Sequence, residues 1–380
     1  MSHIVDHNKK SVLALLLPSG SRLPALVLIG LWMFYLQLKI LNKKLLNLNN
    51  LLCYDYSALG STGTNDDATH MISRYRKPLV KATKIVIITH VIYIFILLID
   101  RSKHYFDTTD DIVYNSTIES FAFLINLTPL LQIICILYLT CYINASDFMK
   151  HVLKKIIMGC HIESGSSRLL YILVSDTLTS YSKSIVDFTM FNLLNLFQPY
   201  SNDMEKWLIS IVSLIVGVIP STIRFVQCVR EHQPFNAIKY GIHYPILFLT
   251  IKKLVYLIDQ GNIDKTYNIE MMLDWVFFLH AIYSFWWDCT MDWGLELWNF
   301  TSNNNVSSTW LRNSTRFSNK TYCVIIVVDF ILRFVWFWQL IFSISLDPFL
   351  LQFLEIFRRW LWIFLRLEYE SWNNLYVSKE

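Results

Sequence analysis

Three arginines set inside apolar runs are the residues of this chain best equipped for chemistry. Arg333 lies in VDFILRFVWFW, and the pair Arg358 and Arg359 lies in LEIFRRWLWIFLRLEYE. A charged side chain at the centre of a bilayer-crossing helix costs roughly 2.5 to 3.5 kcal/mol on insertion scales, so three of them call for compensation on the order of 8 to 10 kcal/mol. Hydrocarbon cannot supply it. The side chains must face the protein interior, where carboxylates, water or an anionic ligand meet them. The guanidinium group is planar, permanently charged and forked to match carboxylate or phosphate oxygens. The pattern therefore points to a membrane protein that handles an anion.

Other polar residues in apolar surroundings are candidates for the same site. Asp329 precedes Arg333 by four and Glu355 precedes Arg358 by three, so each arginine has a partner on its own helix. Self-neutralised pairs that brace a bundle are one reading of these residues. Against it, Arg359 has no local partner, and local pairing leaves most of the guanidinium forks free. In FWWDCTMDWGLELW, Asp288 and Asp292 stand four apart and present two carboxylates to a facing arginine or, alternatively, to a divalent cation. No His or third acidic ligand accompanies them, so the expectation is no metal, no cofactor and no enzymatic activity. The stretch SDTLTSYSKSIVDF places Asp176, Thr179, Ser180, Lys183 and Asp187 at helical steps, predicting one polar stripe along an apolar rod. A stripe with two opposite charges reads as the wall of a cavity, with a hydrogen-bonded helix seam as the alternative. Arg224 closes one apolar run and Lys239 opens the next; they either snorkel to the membrane surface or flank the charged core.

The elements that position these residues must be membrane helices. Of 380 residues, 54% are hydrophobic and 16% charged, which excludes an ordinary soluble domain. The 13 Trp and 20 Tyr suit interfacial belts, and the segments lack the alternation of a transmembrane barrel, so the predicted fold is all-α, a polytopic helical bundle. Windows of about 19 apolar residues fall near 24–41, 85–99, 120–143, 168–197, 207–226, 240–258, 271–289, 321–343 and 349–367, an expectation of about nine spans. Basic and acidic loops alternate between them, which places the C-terminus in the cytosol. A formal net charge of +4 gives no footprint for nucleic acid. The seven cysteines include no C-x-x-C and read as small packing residues. The domain reading is an N-terminal membrane region over 1–167 with about three spans, a pathway domain over 168–370 and a cytosolic tail over 371–380.

Several motifs run in the order found in a known family. RFVQC (224–228), NAIKY (236–240), WDCTMDWGL (287–295), DFILRFVW (329–336) and EIFRRWLWIFLRLEYE (355–370) together span about 200 residues, and with them the chain resembles the EXS-domain family of phosphate exporters and retention proteins. The resemblance implies a phosphate pathway through Arg224, Lys239, Tyr240, Asp288, Arg333, Arg358 and Arg359, with Trp336 as an aromatic gate. It extends the path to Asp176, Thr179 and Ser182, and gives Asp292, Asp329 and Glu355 supporting roles. Thr179 stands where the long members carry asparagine. Those members also carry a soluble SPX sensor ahead of the membrane part; here the first span follows almost directly, so the expectation is a short, Golgi-type member. Such a protein would move phosphate from the Golgi lumen to the cytosol, recycling what glycosyl transfer releases, and would help retain ER lumenal proteins and Golgi glycosyltransferases. The implied partners are inorganic phosphate, the lipid bilayer and Golgi glycosyltransferases, with a homodimer left open. The rival expectation is a non-transporting scaffold that retains those enzymes through the polar loop 290–320 and the C-terminal tail.

Overall fold

The computed structural model describes residues 16–43, 65–106, 125–143, 166–197, 203–258, 263–295 and 317–377, all in helices or the short turns between them. In chain order the helices are α1 (Ser19–Lys43), α2 (Asn65–Phe106), α3 (Thr128–Leu137), α4 (Ser166–Thr179), α5 (Ser182–Phe197), α6 (Asp203–Arg230), α7 (Pro234–Gly241), α8 (His243–Ile258), α9 (Ile263–Trp287), α10 (Asn319–Arg333), α11 (Val335–Phe342) and α12 (Pro348–Val377). Two wider π-helical turns extend α3 over Tyr138–Ile143 and α9 over Asp288–Asp292. No strand occurs among the described residues. The protein is an all-helical membrane protein, as its composition requires: in hydrocarbon an isolated segment satisfies its backbone only as a helix.

The predicted apolar windows that lie within the described residues are helical apart from short breaks, including those at Ser180–Tyr181, Ile242, Phe334 and Ser343, and they are not equivalent. Among the described residues, three stretches can cross a membrane as single helices by length and composition: Ser19–Asn42, Tyr75–Ile99 and Lys206–Arg230. The pair α10 and α11 makes a fourth if counted as one span bent by 59°. The window at 168–197 is broken at Ser180 and Tyr181, and the one at 349–367 carries the arginine pair. Charge and helix breaks, rather than lack of helix, set these apart.

The chain divides into two compact units, interleaved in sequence. The first takes residues up to Leu31, Tyr75–Ala145 and Lys183–Gly217. In it Gln132 of α3 donates to the Thr89 hydroxyl of α2 (3.0 Å), and Asn126 donates to Asn195 of α5 (2.9 Å). Interhelical side-chain bonds of this kind replace the absent hydrophobic drive between helices in lipid. The second unit takes Trp32–Arg74, Ser146–Ser182 and Val218–Glu380. Its core joins Leu38 and Leu41 of α1, Leu169, Tyr171 and Leu173 of α4, Cys289 and Trp293 after α9, Tyr322 and Ile325 of α10, and Trp362 to Leu367 of α12. The Trp360 indole N–H donates to the Met33 carbonyl (2.7 Å) and Gln37 donates to the Trp360 carbonyl (3.0 Å), stitching α1 to α12.

Local sequence starts and stops the helices around this core. Asp347 caps α12 by accepting the Phe349 N–H (2.8 Å), and Pro348 fills the first helical position, where no N–H is needed. Ser318 caps α10 through the Thr321 N–H (3.4 Å). The bend after α10 lies at neither proline nor glycine; it falls at Phe334, whose buried ring packs on Phe330 (4.8 Å) and Phe278 (6.2 Å).

A buried charge cluster in the second unit

Helix α4 brings in Asp176, and then it ends. The hydroxyls of Ser175, Thr177 and Thr179 bond back to carbonyls at Tyr171 (2.7 Å), Leu173 (2.7 Å) and Asp176 (2.7 Å). Such back-bonding competes with the backbone ladder and favours bending. The N–H groups of Ser180 and Tyr181 then close three-residue turns onto Thr177 and Leu178 (both 3.1 Å). The expected continuous stripe is thereby cut, a correction to the periodicity reading. Asp176 and Ser180 belong to the second unit. Lys183 and Asp187 pair with each other (3.0 Å) in the first, where Arg22 also approaches Asp187 (3.9 Å).

Around Asp176 the second unit assembles cations from separate elements. Arg224, late on α6, donates through Nε to Asp176 Oδ1 (2.7 Å) and through Nη1 to Gln227 Oε1 (2.8 Å). Its guanidinium lies over the Tyr240 ring (4.9 Å), and the Tyr240 hydroxyl donates to the same Asp176 oxygen (2.5 Å). Arg224 and Lys239 are both about 4% exposed, so neither snorkels to the surface. Proline at the start of α7 sets that short helix so that Lys239 and Tyr240 point inward together.

The π turn after α9 supplies the second acidic centre. The i→i+5 bonding of this wider turn swings Asp288 and Asp292 away from simple i, i+4 stacking; Trp293 N–H bonds to the Asp288 carbonyl (2.9 Å) and Leu295 N–H to that of Cys289 (3.0 Å). Asp288, fully buried, accepts Lys239 Nζ (2.7 Å) and Arg333, with Arg358 at 3.7 Å. Asp292 faces another way: Lys239 is at 3.6 Å, the Trp362 indole N–H donates to it (3.2 Å), and Arg366 lies at 3.4 Å. Lys239 thus bridges the two carboxylates on the face they share, while Arg333 holds the other side of Asp288 and Arg366 that of Asp292.

The local pairs expected near the C-terminus form, and both are extended across helices. Arg333 reaches Asp329 on α10 (3.4 Å) as well as Asp288. Arg358 binds Glu355 on α12 (2.5 Å) as well as Asp329 (3.2 Å). Arg359 differs. Its Nε donates to Ser180 (3.4 Å), its guanidinium lies over Trp362 (4.9 Å), and its nearest carboxylate is Asp176 at 4.0 Å. Its Nη1, buried, makes no hydrogen bond. In sum, the cations Arg224, Lys239, Arg333, Arg358, Arg359 and Arg366 face the carboxylates Asp176, Asp288, Asp292, Asp329, Glu355 and, on Arg366 (3.5 Å), Glu370, six against six.

Three predicted residues stand apart from this network. The Thr179 hydroxyl is engaged with its own helix, as above. The Ser182 hydroxyl is buried without a hydrogen-bond partner. Trp336, just past the bend, engages through rings only, Phe277 at 6.0 Å and Phe337 at 5.8 Å. Conversely, Gln227, Arg366 and a pair of histidines were not anticipated. His243 and His280 meet in an edge-on contact, centroids 5.0 Å apart. The signal for His280 was readable: it precedes Ser284 by four and Asp288 by eight on one face of α9.

Comparison with known proteins bears on this arrangement. Protein ERD1 of Kluyveromyces lactis is 36% identical over 280 residues, covering 65% of this chain and 70% of that protein. Protein ERD1 of Saccharomyces cerevisiae is 32% identical over 268 residues, covering 64% and 69%. The phosphate transporter PHO1 homolog 8 of Arabidopsis thaliana is 35% identical over 176 residues, 42% of this chain and 21% of that longer protein. The EXS family model matches residues 17–372, from the start of the first helix to near the end of the last and so including every member of the buried cluster; the chain belongs to the EXS family.

Proposed function

We propose that the protein carries inorganic phosphate across a membrane of the secretory pathway, from the Golgi lumen to the cytosol, and that its part in retaining ER lumenal proteins and Golgi glycosyltransferases follows from that transport. One observation carries the reading: Arg359, buried, with an unbonded Nη1, beside four further cations drawn from α6, α7, α10 and α12. An oxyanion seated there exchanges with carboxylates rather than entering bare hydrocarbon. Each carboxylate holds its cations when the path is empty and moderates their grip when it is filled, so that binding stays weak enough for release. The similarity to a plant phosphate transporter supports the choice of anion, and the similarity to the yeast ERD1 proteins supports the compartment. We further read nine crossings with the C-terminus in the cytosol.

Efflux of radiolabelled phosphate from proteoliposomes tests this directly. Wild-type protein releases phosphate, whereas Arg359→Ala loses most of the flux while remaining folded in the membrane. Normal flux in that variant would sink the assignment of the site.

The one-for-one charge balance favours a second reading, in which the cluster braces a scaffold that retains glycosyltransferases without transporting anything. It predicts no phosphate flux from correctly folded wild-type protein, and it places the activity in the loop 290–320, of which 296–316 lie outside the described residues, and in the C-terminal tail.

A further inference from the structure

We infer that the His243–His280 pair is a proton site coupled to the anion path, so that phosphate passes with a proton. This inference rests on the phosphate reading above. The His243 Nδ1 lies 3.1 Å from the Tyr240 carbonyl, and a carbonyl can only accept, so Nδ1 carries the hydrogen and Nε2 holds the free lone pair. His280 packs edge-on against that ring, with its own Nδ1 at 3.5 Å from the Ser284 hydroxyl. The pair is tied to the charge cluster at both ends. Tyr240, whose carbonyl fixes His243, donates its hydroxyl to Asp176. His280, Ser284 and Asp288 follow one another at four-residue steps, about 12 Å along α9, and Ser284 and Asp288 are both buried.

The charges facing the pair decide how it would work. Arg333 of α10, Lys239 of α7 and Arg358 of α12 act on His280, while Glu355 of α12 acts on His243; Asp288 stands two turns along α9 itself. With the path empty, three cations oppose one more positive charge at the pair. An anion seated among those cations cancels their field at His280 and turns the balance toward one proton on the pair. The cluster is charge-matched when empty, so an entering anion leaves the low-dielectric core negative, and one proton on the pair offsets one unit of that charge. By linkage the effect is reciprocal: phosphate promotes protonation of the pair, and a lower pH tightens phosphate. The proton comes from solvent on entry and leaves with the anion.

Proteoliposome flux at about pH 6 and about pH 8, in wild type and in His243→Gln/His280→Gln, tests the coupling. Phosphate itself titrates in this window, so the readout is the difference between the two proteins. The wild-type flux ratio between the two pH values should exceed that of the variant about fivefold or more, the size of an ordinary coupling between sites. Equal ratios overturn the proton site and leave the phosphate path standing. Should the double variant fail to fold, imidazole nitrogen resonances of the histidine-labelled wild-type protein serve instead. Adding phosphate should convert one ring to the doubly protonated form, and rings that stay neutral at saturating phosphate overturn the inference. Wild type that moves no phosphate at either pH overturns the pathway reading itself, and the proton site with it.

Discussion

Asp288 is the residue on which most of the cluster converges: fully buried, it holds Lys239 and Arg333 and lies near Arg358. Removing one side of a buried ion pair strands the other in a low dielectric, a loss of about 3 to 5 kcal/mol. Asp288→Asn should therefore lower the thermal midpoint in detergent by that equivalent. Neutralising Arg333 to Gln in the same chain should recover part of the loss, because the two sites share the interaction. Full additivity of the two losses would show that they do not. Arg359 calls for the opposite expectation. With no close carboxylate, its conversion to Lys should leave the melting behaviour near wild type, yet reduce phosphate flux severalfold, since an ammonium cannot present two parallel donors to an oxyanion. A large loss of stability in Arg359→Lys would mark the residue as a brace.

At the scale of the element, the π turn at Asp288–Asp292 depends on how it ends. Gly294 has φ +59°, and a Cβ there would stand 2.4 Å from the Tyr369 ring of α12. Left-handed backbone costs a non-glycine residue about 1 to 2 kcal/mol, and the clash adds to it. Gly294→Ala should thus destabilise the protein and turn Asp288 from its cations. Pairing it with Tyr369→Ala should relieve the clash while keeping the backbone cost, so the double variant should melt between wild type and Gly294→Ala. Equal melting of all three proteins would remove the turn from the account of how the site is positioned. The break between α4 and α5 has the same standing. It keeps Asp176 and Ser180 with the arginines, whereas an unbroken helix would have carried Lys183 and Asp187 along the same face.

At the scale of the whole molecule, the apolar residues left exposed are those expected to meet lipid. Ile87, Ile88, Val91, Ile92 and Phe95 on α2, and Leu208, Val212, Ile215 and Ile219 on α6, are exposed large side chains at helical spacing. With basic and acidic loops alternating, the proposed topology sends the C-terminus to the cytosol. A protease-cleavable tag after Glu380 should be cut, without detergent, in sealed secretory-pathway vesicles that keep their cytosolic face outward, and protection of the tag would reverse the orientation.

The sequence alone determined the class of the protein and much of its chemistry. Composition required membrane helices, and local spacing of three and four predicted the Asp329–Arg333 and Glu355–Arg358 pairs, because helix geometry makes those neighbours touch whatever the fold. The expense of charge in hydrocarbon required that the three arginines turn inward, as they do. Tertiary structure decided who meets whom across helices. That Arg224 joins Tyr240 on Asp176, that Asp288 and Asp292 share Lys239, and that His243 meets His280 all depend on packing between elements far apart in sequence. It also decided where helical periodicity fails. One wide turn or two non-helical residues reset the direction of every following side chain, so the stripe through Asp187 was legible as a pattern but not as a place. The unbonded Nη1 of Arg359, on which the functional reading rests, is a property of the assembled site alone: a missing partner becomes visible only when all the others have been placed.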